Sequence, residues 1–220
     1  MEQIPLQLAK DPAYGLEDFV VTPSNQLPYD YLRLWPKWET LGTIIVGPTH
    51  SGKTHLSHIW KAQSGADFLT EDSLKSLGET LDIAPGQAFI LEDMEKYLPA
   101  YETTLFHLFN GLKAQGGFLL LTATQPPKQW SVGLKDLSSR LSTLPVFTIE
   151  TPDDMLFLSI LTKNFSQHQM QVDPKVIDFL MKTVARTFEN SYEIPQKLSA
   201  ASLMQRHAVT IPFVKKVLEL

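Results

Sequence analysis

The hydrophobic pattern of the chain changes character once, near residue 150. Before that point, dense apolar runs alternate with amphipathic ones. LGTIIVG (41–47), QAFIL (87–91) and GFLLLT (117–122) are short, apolar and free of polar alternation, as in strands buried on both faces. ADFL (66–69) and PVFTI (145–149) are shorter runs of the same kind. Between them, residues 53–63 set Leu56, Ile59 and Trp60 on one side of a helix. Residues 71–78, 101–115 and 134–141 predict three more helices. Five strands alternating with helices make an α/β fold, a parallel sheet with helices on both faces.

Beyond Ile149 only helical periodicity remains. TPDDMLFLSILTKNF places Thr151 as N-cap, Pro152 at the first helical position and Asp154 in the first turn. VDPKVIDFLMKTVAR repeats the device with Asp173 and Pro174, followed by the stripe Val176, Ile177, Leu180, Met181 and Val184. ENSYEIPQKLSAASLMQRH predicts a third helix whose start Pro195 limits or kinks. VTIPFVKKVLEL predicts a fourth, opening near Pro212. The chain thus divides into a tail (1–8), an α/β domain (9–150) and a small all-helical domain (151–220).

Composition narrows the classes. The chain has 220 residues, 43% of them hydrophobic, enough for one medium domain with a small appendage. No apolar run approaches the roughly 20 residues of a membrane helix. With no cysteine there is no disulfide, thiolate metal site or cysteine nucleophile, which fits a cytoplasmic setting. A net charge of −5 weighs against direct DNA binding. The opening MEQIPLQL has neither the basic region nor the apolar core of a signal peptide. It reads as an idle tail or as a ligand for another protein.

Chemistry enters at GPTHSGKT, comprising Gly47, Pro48, Thr49, His50, Ser51, Gly52, Lys53 and Thr54. This is G-x-x-x-x-G-K-[ST] between a predicted strand and a predicted helix, a strong signal for a phosphate-binding loop. The glycines let backbone N–H groups approach phosphate oxygens, and the helix N-terminus adds positive potential. Lys53 reaches the β- and γ-phosphates of ADP or ATP, and the Thr54 hydroxyl faces Mg²⁺. In AFILEDME, Glu92 is the candidate Mg²⁺ ligand and Asp93 the group that orients an attacking water. His55 and His58 sit one turn apart without a third convergent ligand and read as helical surface or packing residues. Tyr29, Tyr31, Trp35 and Trp38 offer linker packing or a partner surface, with packing the preferred reading.

An α/β nucleotide domain followed by a small helical lid resembles the AAA+ ATPases. EDFVVTPSN (17–25) resembles the segment preceding the nucleotide domain of the replication initiator DnaA, near the adenine. LLLTATQPPKQW (119–130) resembles its sensor I strand and loop, and DLSSRL (136–141) its arginine-finger box. With no DNA-reading domain after the lid, and with the closing TIPFVKKVL, the chain resembles the Hda family, regulatory inactivators of DnaA. In that family a terminal peptide like QIPLQL binds the DNA polymerase III sliding clamp. The resemblance gives Gln3 to a polar pocket of the clamp, and Leu6 and Leu8 to its apolar cleft. It gives Arg140 the role of a finger completing the active site of DnaA, and Arg186 that of the lid arginine on the chain's own nucleotide. DNA is then met through the clamp, no membrane is involved, and self-association into a homo-oligomer stays open. Two departures imply weak intrinsic hydrolysis. Glu92–Asp93 stands where DnaA has two aspartates, and Thr124, beside Ala123, where it has an acid. A helicase-loader-like adaptor and a self-sufficient AAA+ ATPase are the alternatives.

Overall fold

The structure, a computed structural model, describes residues 14–79, 82–205 and 207–220. Five parallel strands form one sheet: β1 (Gly42–Val46), β2 (Asp67–Phe68), β3 (Ala88–Leu91), β4 (Phe118–Ala123) and β5 (Val146–Thr148), in the order β2-β3-β4-β1-β5. β1 lies between β4 and β5, with Ile44 opposite Leu121 on one side and Val146 on the other. The alternation of strand side chains builds two cores. Ile44, Val46, Phe89, Leu91, Leu119 and Leu121 face α3 (Glu71–Glu79), α4 (Leu98–Gln115) and α5 (Lys135–Leu141). Ile45, Ala88, Ile90 and Leu120 face α1 (Gln26–Arg33) and α2 (Lys53–Ser64). The sequence reading of a parallel sheet covered on both faces therefore holds.

α1 is an element the hydrophobic pattern did not predict. Its segment is anchored by side chains at its edges. Asn25 Oδ1 accepts from the Thr22 N–H at 2.8 Å, and Trp38 Nε1 donates to the Tyr31 carbonyl at 2.9 Å. Trp38 stacks on the fully buried Trp60 of α2, ring centroids 5.1 Å apart and 8° from parallel. The aromatic residues before β1 are thus core packing, as the sequence indicated.

Four helices complete the chain: α6 (Asp154–Gln167), α7 (Pro174–Thr183), α8 (Phe188–Gln205) and α9 (Ile211–Leu218). They enclose their own core around Phe157, Leu161, Leu180, Leu198 and Val214, while Leu156 and Phe188 pack into the α1–α2 side of the sheet domain. Two local expectations are corrected. The N-cap of α6 is Asp153, not Thr151, and Pro152 precedes the helix instead of opening it. Residue 153 stays extended (ψ 171°), and its carboxylate accepts the Leu156 N–H at 2.8 Å. Nor does Pro195 limit α8, which runs through it. The Ser191 carbonyl, deprived of an i+4 amide by the proline, accepts instead from Asn164 Nδ2 of α6 at 2.9 Å.

Asp153 also joins the two parts of the chain. Ser24 Oγ donates to its second carboxylate oxygen at 3.0 Å and accepts from its backbone N–H at 3.0 Å. Asp153→Ala is expected to lower unfolding free energy by about 1–2 kcal/mol, the upper half of the N-cap range. Asp153→Asn, which retains a capping oxygen, should lose less than half of that. Denaturant midpoints of the two variants check this, and equal losses would refute the capping role.

Candidate nucleotide site

The site begins where β1 ends. Gly47 donates to the Ala123 carbonyl at 3.1 Å, tying the loop to the C-terminal end of β4. A Cβ on Gly47 would come within 2.7 Å of Ser51 Oγ. Gly52 has φ +95°, a left-handed conformation that glycine adopts without strain, and from it the chain turns into α2. Lys53, only 7% exposed, curls back over the loop, its ammonium donating to the Gly47 and Pro48 carbonyls at 2.8 and 2.9 Å. Ser51 Oγ is buried without a hydrogen-bond partner among the described residues. A tight backbone cradle, a helix N-terminus, a buried ammonium and an unspent hydroxyl together fit the phosphates of a nucleotide. Burial holds the Lys53 pKa below the ordinary lysine value, against the opposing pull of Asp93, Glu95 and Glu92.

The loop lines a cavity of about 610 Å³. Thr49 to His55 form one wall, and Asp93, Glu95, Lys96 and Thr124 stand at the ends of the neighbouring strands. The lid contributes Ile160, Lys163, Asn164 and Gln167, one face of α6, together with Tyr192 of α8. Tyr192 stacks on His50 at the loop tip, centroids 3.9 Å apart and 11° from parallel. Tyr14 closes the remaining side. It stacks on His58 at 4.1 Å and meets His55 edge-on, and the ring Nε2 of His55 bonds the Gly15 carbonyl at 2.8 Å. Both histidines pack, one of the two roles read from the sequence, and burial lowers the pKa of each.

Asp93 lines both the loop's cavity and an adjoining one, Glu95 only the first and Glu92 only the second. The Asp93 carboxylate is bound to Lys96. Glu92 lines the adjoining cavity of about 440 Å³ with His58, Phe68 and Tyr97, and its Oε1 is buried without a partner among the described residues. The residue the sequence reading missed is Glu95. Asp93 has φ +50°, and the turn of 3₁₀ helix that follows it, Met94–Lys96, leads Glu95 back to the end of β4. There its Oε1 accepts from the Thr124 N–H at 2.6 Å and from the Thr124 hydroxyl. A carboxylate therefore sits at the end of β4 although residue 124 itself is not acidic. The available signal was a third acid in ILEDME, three residues past Glu92.

Two predicted cations lie outside the cavity. Arg186, on the connection between α7 and α8, pairs with Asp154, its Nη2 donating to Oδ2 at 3.2 Å. The lid cation that lines the cavity is Lys163, which donates to the Asp18 carbonyl at 3.1 Å. Arg140 lies on α5, its guanidinium 5.1 Å above the ring of Phe106 in α4. Asp136, one turn earlier on the same helix, forms no ion pair with it among the described residues. Gln3, Leu6 and Leu8 fall outside the described residues.

Comparisons with known proteins agree with this architecture. The family described as "Hda, lid domain" matches residues 154–218. A Haemophilus influenzae protein described as uncharacterized is 31% identical over 186 residues, which covers 80% of each chain. Among solved structures, domain III of the replication initiation protein DnaA from Thermotoga maritima superimposes with a TM-score of 0.76 at 21% identity, covering 95% of this chain and 97% of that one. AMPPCP-bound DnaA from Aquifex aeolicus gives 0.67 at 20% identity, covering 89% and 67%. The RuvB Holliday junction branch migration motor of Thermotoga maritima gives 0.69 at 15%, covering 94% and 71%. Each of these three similarities speaks to the fold. No helix among the described residues is long and apolar enough to cross a membrane.

Proposed function

The chain belongs to the Hda-like family of DnaA-related AAA+ proteins, and we propose that it restrains replication initiation by stimulating hydrolysis of DnaA-bound ATP. An adenine nucleotide, ADP or ATP, sits on the Gly47–Thr54 loop with Lys53 on its phosphates. Thr54 on the loop would hold Mg²⁺, with Glu92 joining it on turning from the adjoining cavity it lines, and the ion would supply charge neutralisation when bound. The nucleotide fixes the lid against the sheet domain, and Arg186 joins it on leaving Asp154. So shaped, the protein docks on ATP-bound DnaA and presents Arg140 to the partner's γ-phosphate, where charge develops in the transition state. The N-terminal peptide ties the reaction to a sliding clamp on DNA.

The observation that carries this reading is the placement of Arg140. Its guanidinium takes no part in the chain's own nucleotide cavity and forms no ion pair with a described residue, so its charge is available to another molecule. The decisive experiment follows DnaA-bound ATP with and without this protein and DNA-loaded clamp. Accelerated conversion to ADP with all components present supports the reading, and an unchanged rate rejects it. A second assay isolates the tether. Gln3→Ala with Leu6→Ala should reduce clamp capture to background while leaving nucleotide binding intact. Retained capture would remove the peptide from the role.

One observation favours a different reading, a self-sufficient ATPase. Glu95 restores a carboxylate beside Thr124, at the end of the strand that faces the phosphates. Robust hydrolysis by the purified protein alone, lost in Lys53→Ala, would select that reading over nucleotide as a conformational cofactor.

A further inference from the structure

Arg140 is carried by a helix of seven residues whose own N-cap, Leu134, supplies no side-chain hydrogen bond. A carboxylate of α4 holds the two residues that lead into it. The two carboxylate oxygens of Glu102 accept the N–H groups of Gly133 and Leu134, at 2.9 and 2.7 Å. One turn further along α4, on the same face, is Phe106, whose ring lies against the Arg140 guanidinium. Leu137 and Leu141, on the adjoining face of α5, are buried in the core. The short helix is thus fixed at its start by a carboxylate, along its length by leucines, and near its end by an aromatic ring.

The choice of a ring has a chemical consequence. A carboxylate under the arginine would neutralise its charge and occupy its donors. An aromatic face attracts the cation through its quadrupole and consumes no N–H. The Arg140 Nε is buried with no hydrogen-bond partner among the described residues, so no described polar group restrains it there, and the Phe106 ring does. An arginine that serves in trans has to be aimed before the partner arrives, because only preorganised charge stabilises the transition state without reorganisation.

We propose that Glu102 and Phe106 form a mount on α4 that aims Arg140 at the partner's nucleotide, both acting as positioning residues. This rests on the finger reading of Arg140 given above. Phe106 restricts the guanidinium directly, and Glu102 fixes the helix that carries it.

The test titrates the full-length protein, with DNA-loaded clamp, into ATP-bound DnaA and separates the plateau rate of hydrolysis from the half-saturating concentration. Phe106→Leu keeps the apolar volume and removes the ring. It should lower the plateau about 2- to 30-fold, the range of a cation–π contact converted to a rate, and leave half-saturation unchanged. Phe106→Trp should restore the plateau. Glu102→Gln, which retains one acceptor oxygen, should lower the plateau by a smaller factor with the same unchanged half-saturation. An unaltered plateau in Phe106→Leu, or a shift confined to half-saturation, would overturn the mount and make Phe106 at most a contact for DnaA. Arg140→Ala runs in parallel. If the wild-type protein gives no stimulation, or Arg140→Ala keeps it, the finger reading itself fails. If Arg140→Ala loses stimulation and Phe106→Leu does not, only the mount fails.

Discussion

Arg140→Ala is expected to cut the stimulated hydrolysis of DnaA-bound ATP by about 10³-fold or more, the lower end of the effect of an arginine supplied in trans. The loss belongs to chemistry, because the side chain lies outside the chain's own cavity. Nucleotide uptake by the variant, measured by calorimetry or a fluorescent analogue, should match wild type, as should capture by the clamp. The fold should also tolerate the change. Half-buried against Phe106, Arg140 gives up one cation–π contact, worth about 0.5–2 kcal/mol at such a site. Arg140→Lys keeps the charge but replaces a planar fork with a point charge, so it should recover only a minor part of the rate. Stimulation within threefold of wild type in the alanine variant would take Arg140 out of the reaction.

How much of this could be read from the chain depends on how local each determinant is. The phosphate loop was legible because glycine, lysine and threonine act at fixed spacing, and the flanking strand and helix declare themselves by periodicity. β1, β3 and β4 were legible because strands buried on both faces are apolar throughout. Helix starts were less so. TPDD offers two capping residues within three positions, and the Ser24 bonds to the carboxylate and N–H of Asp153 hold the second in place, a contact from outside the local sequence. α1 escaped because QLPYDYLR has a polar, aromatic-rich surface and depends on contacts from Asn25 and Trp38 made outside its own turns.

The site divides the same way. Glu95 reaches Thr124 only through the positive φ of Asp93, a backbone conformation rare for a non-glycine residue and invisible to pattern reading. The capture of Arg186 by Asp154 links residues 32 apart, and the mounting of Arg140 on Phe106 links separate helices. Such pairs follow from the packing of helices, and residue type alone identifies only one of the two partners.

Lys53→Ala is expected to weaken adenine nucleotide binding by about 100-fold or more. Charge-assisted hydrogen bonds contribute roughly 1.5–3 kcal/mol each, about 1.4 kcal/mol is a factor of ten, and this ammonium has at least two to give, now spent on the Gly47 and Pro48 carbonyls. Unfolding should not account for the loss. Removing a buried ammonium relieves its desolvation but leaves a buried carbonyl unpaired, and these effects oppose. The same burial gives a pH signature. In the folded chain Lys53 releases its proton below the ordinary lysine pKa, so between the folded and unfolded values the unfolded state binds more protons and stability rises with pH. Bound phosphates act the other way, adding negative charge that raises the pKa. Binding at alkaline pH should therefore take up protons, and affinity should fall as pH rises through the lowered value. Titration calorimetry in buffers of different ionisation enthalpy detects that uptake, which Lys53→Ala should abolish and Lys53→Arg, permanently charged, should also lack. Unchanged affinity in Lys53→Ala would place the nucleotide elsewhere and leave the curled lysine a structural feature of the loop.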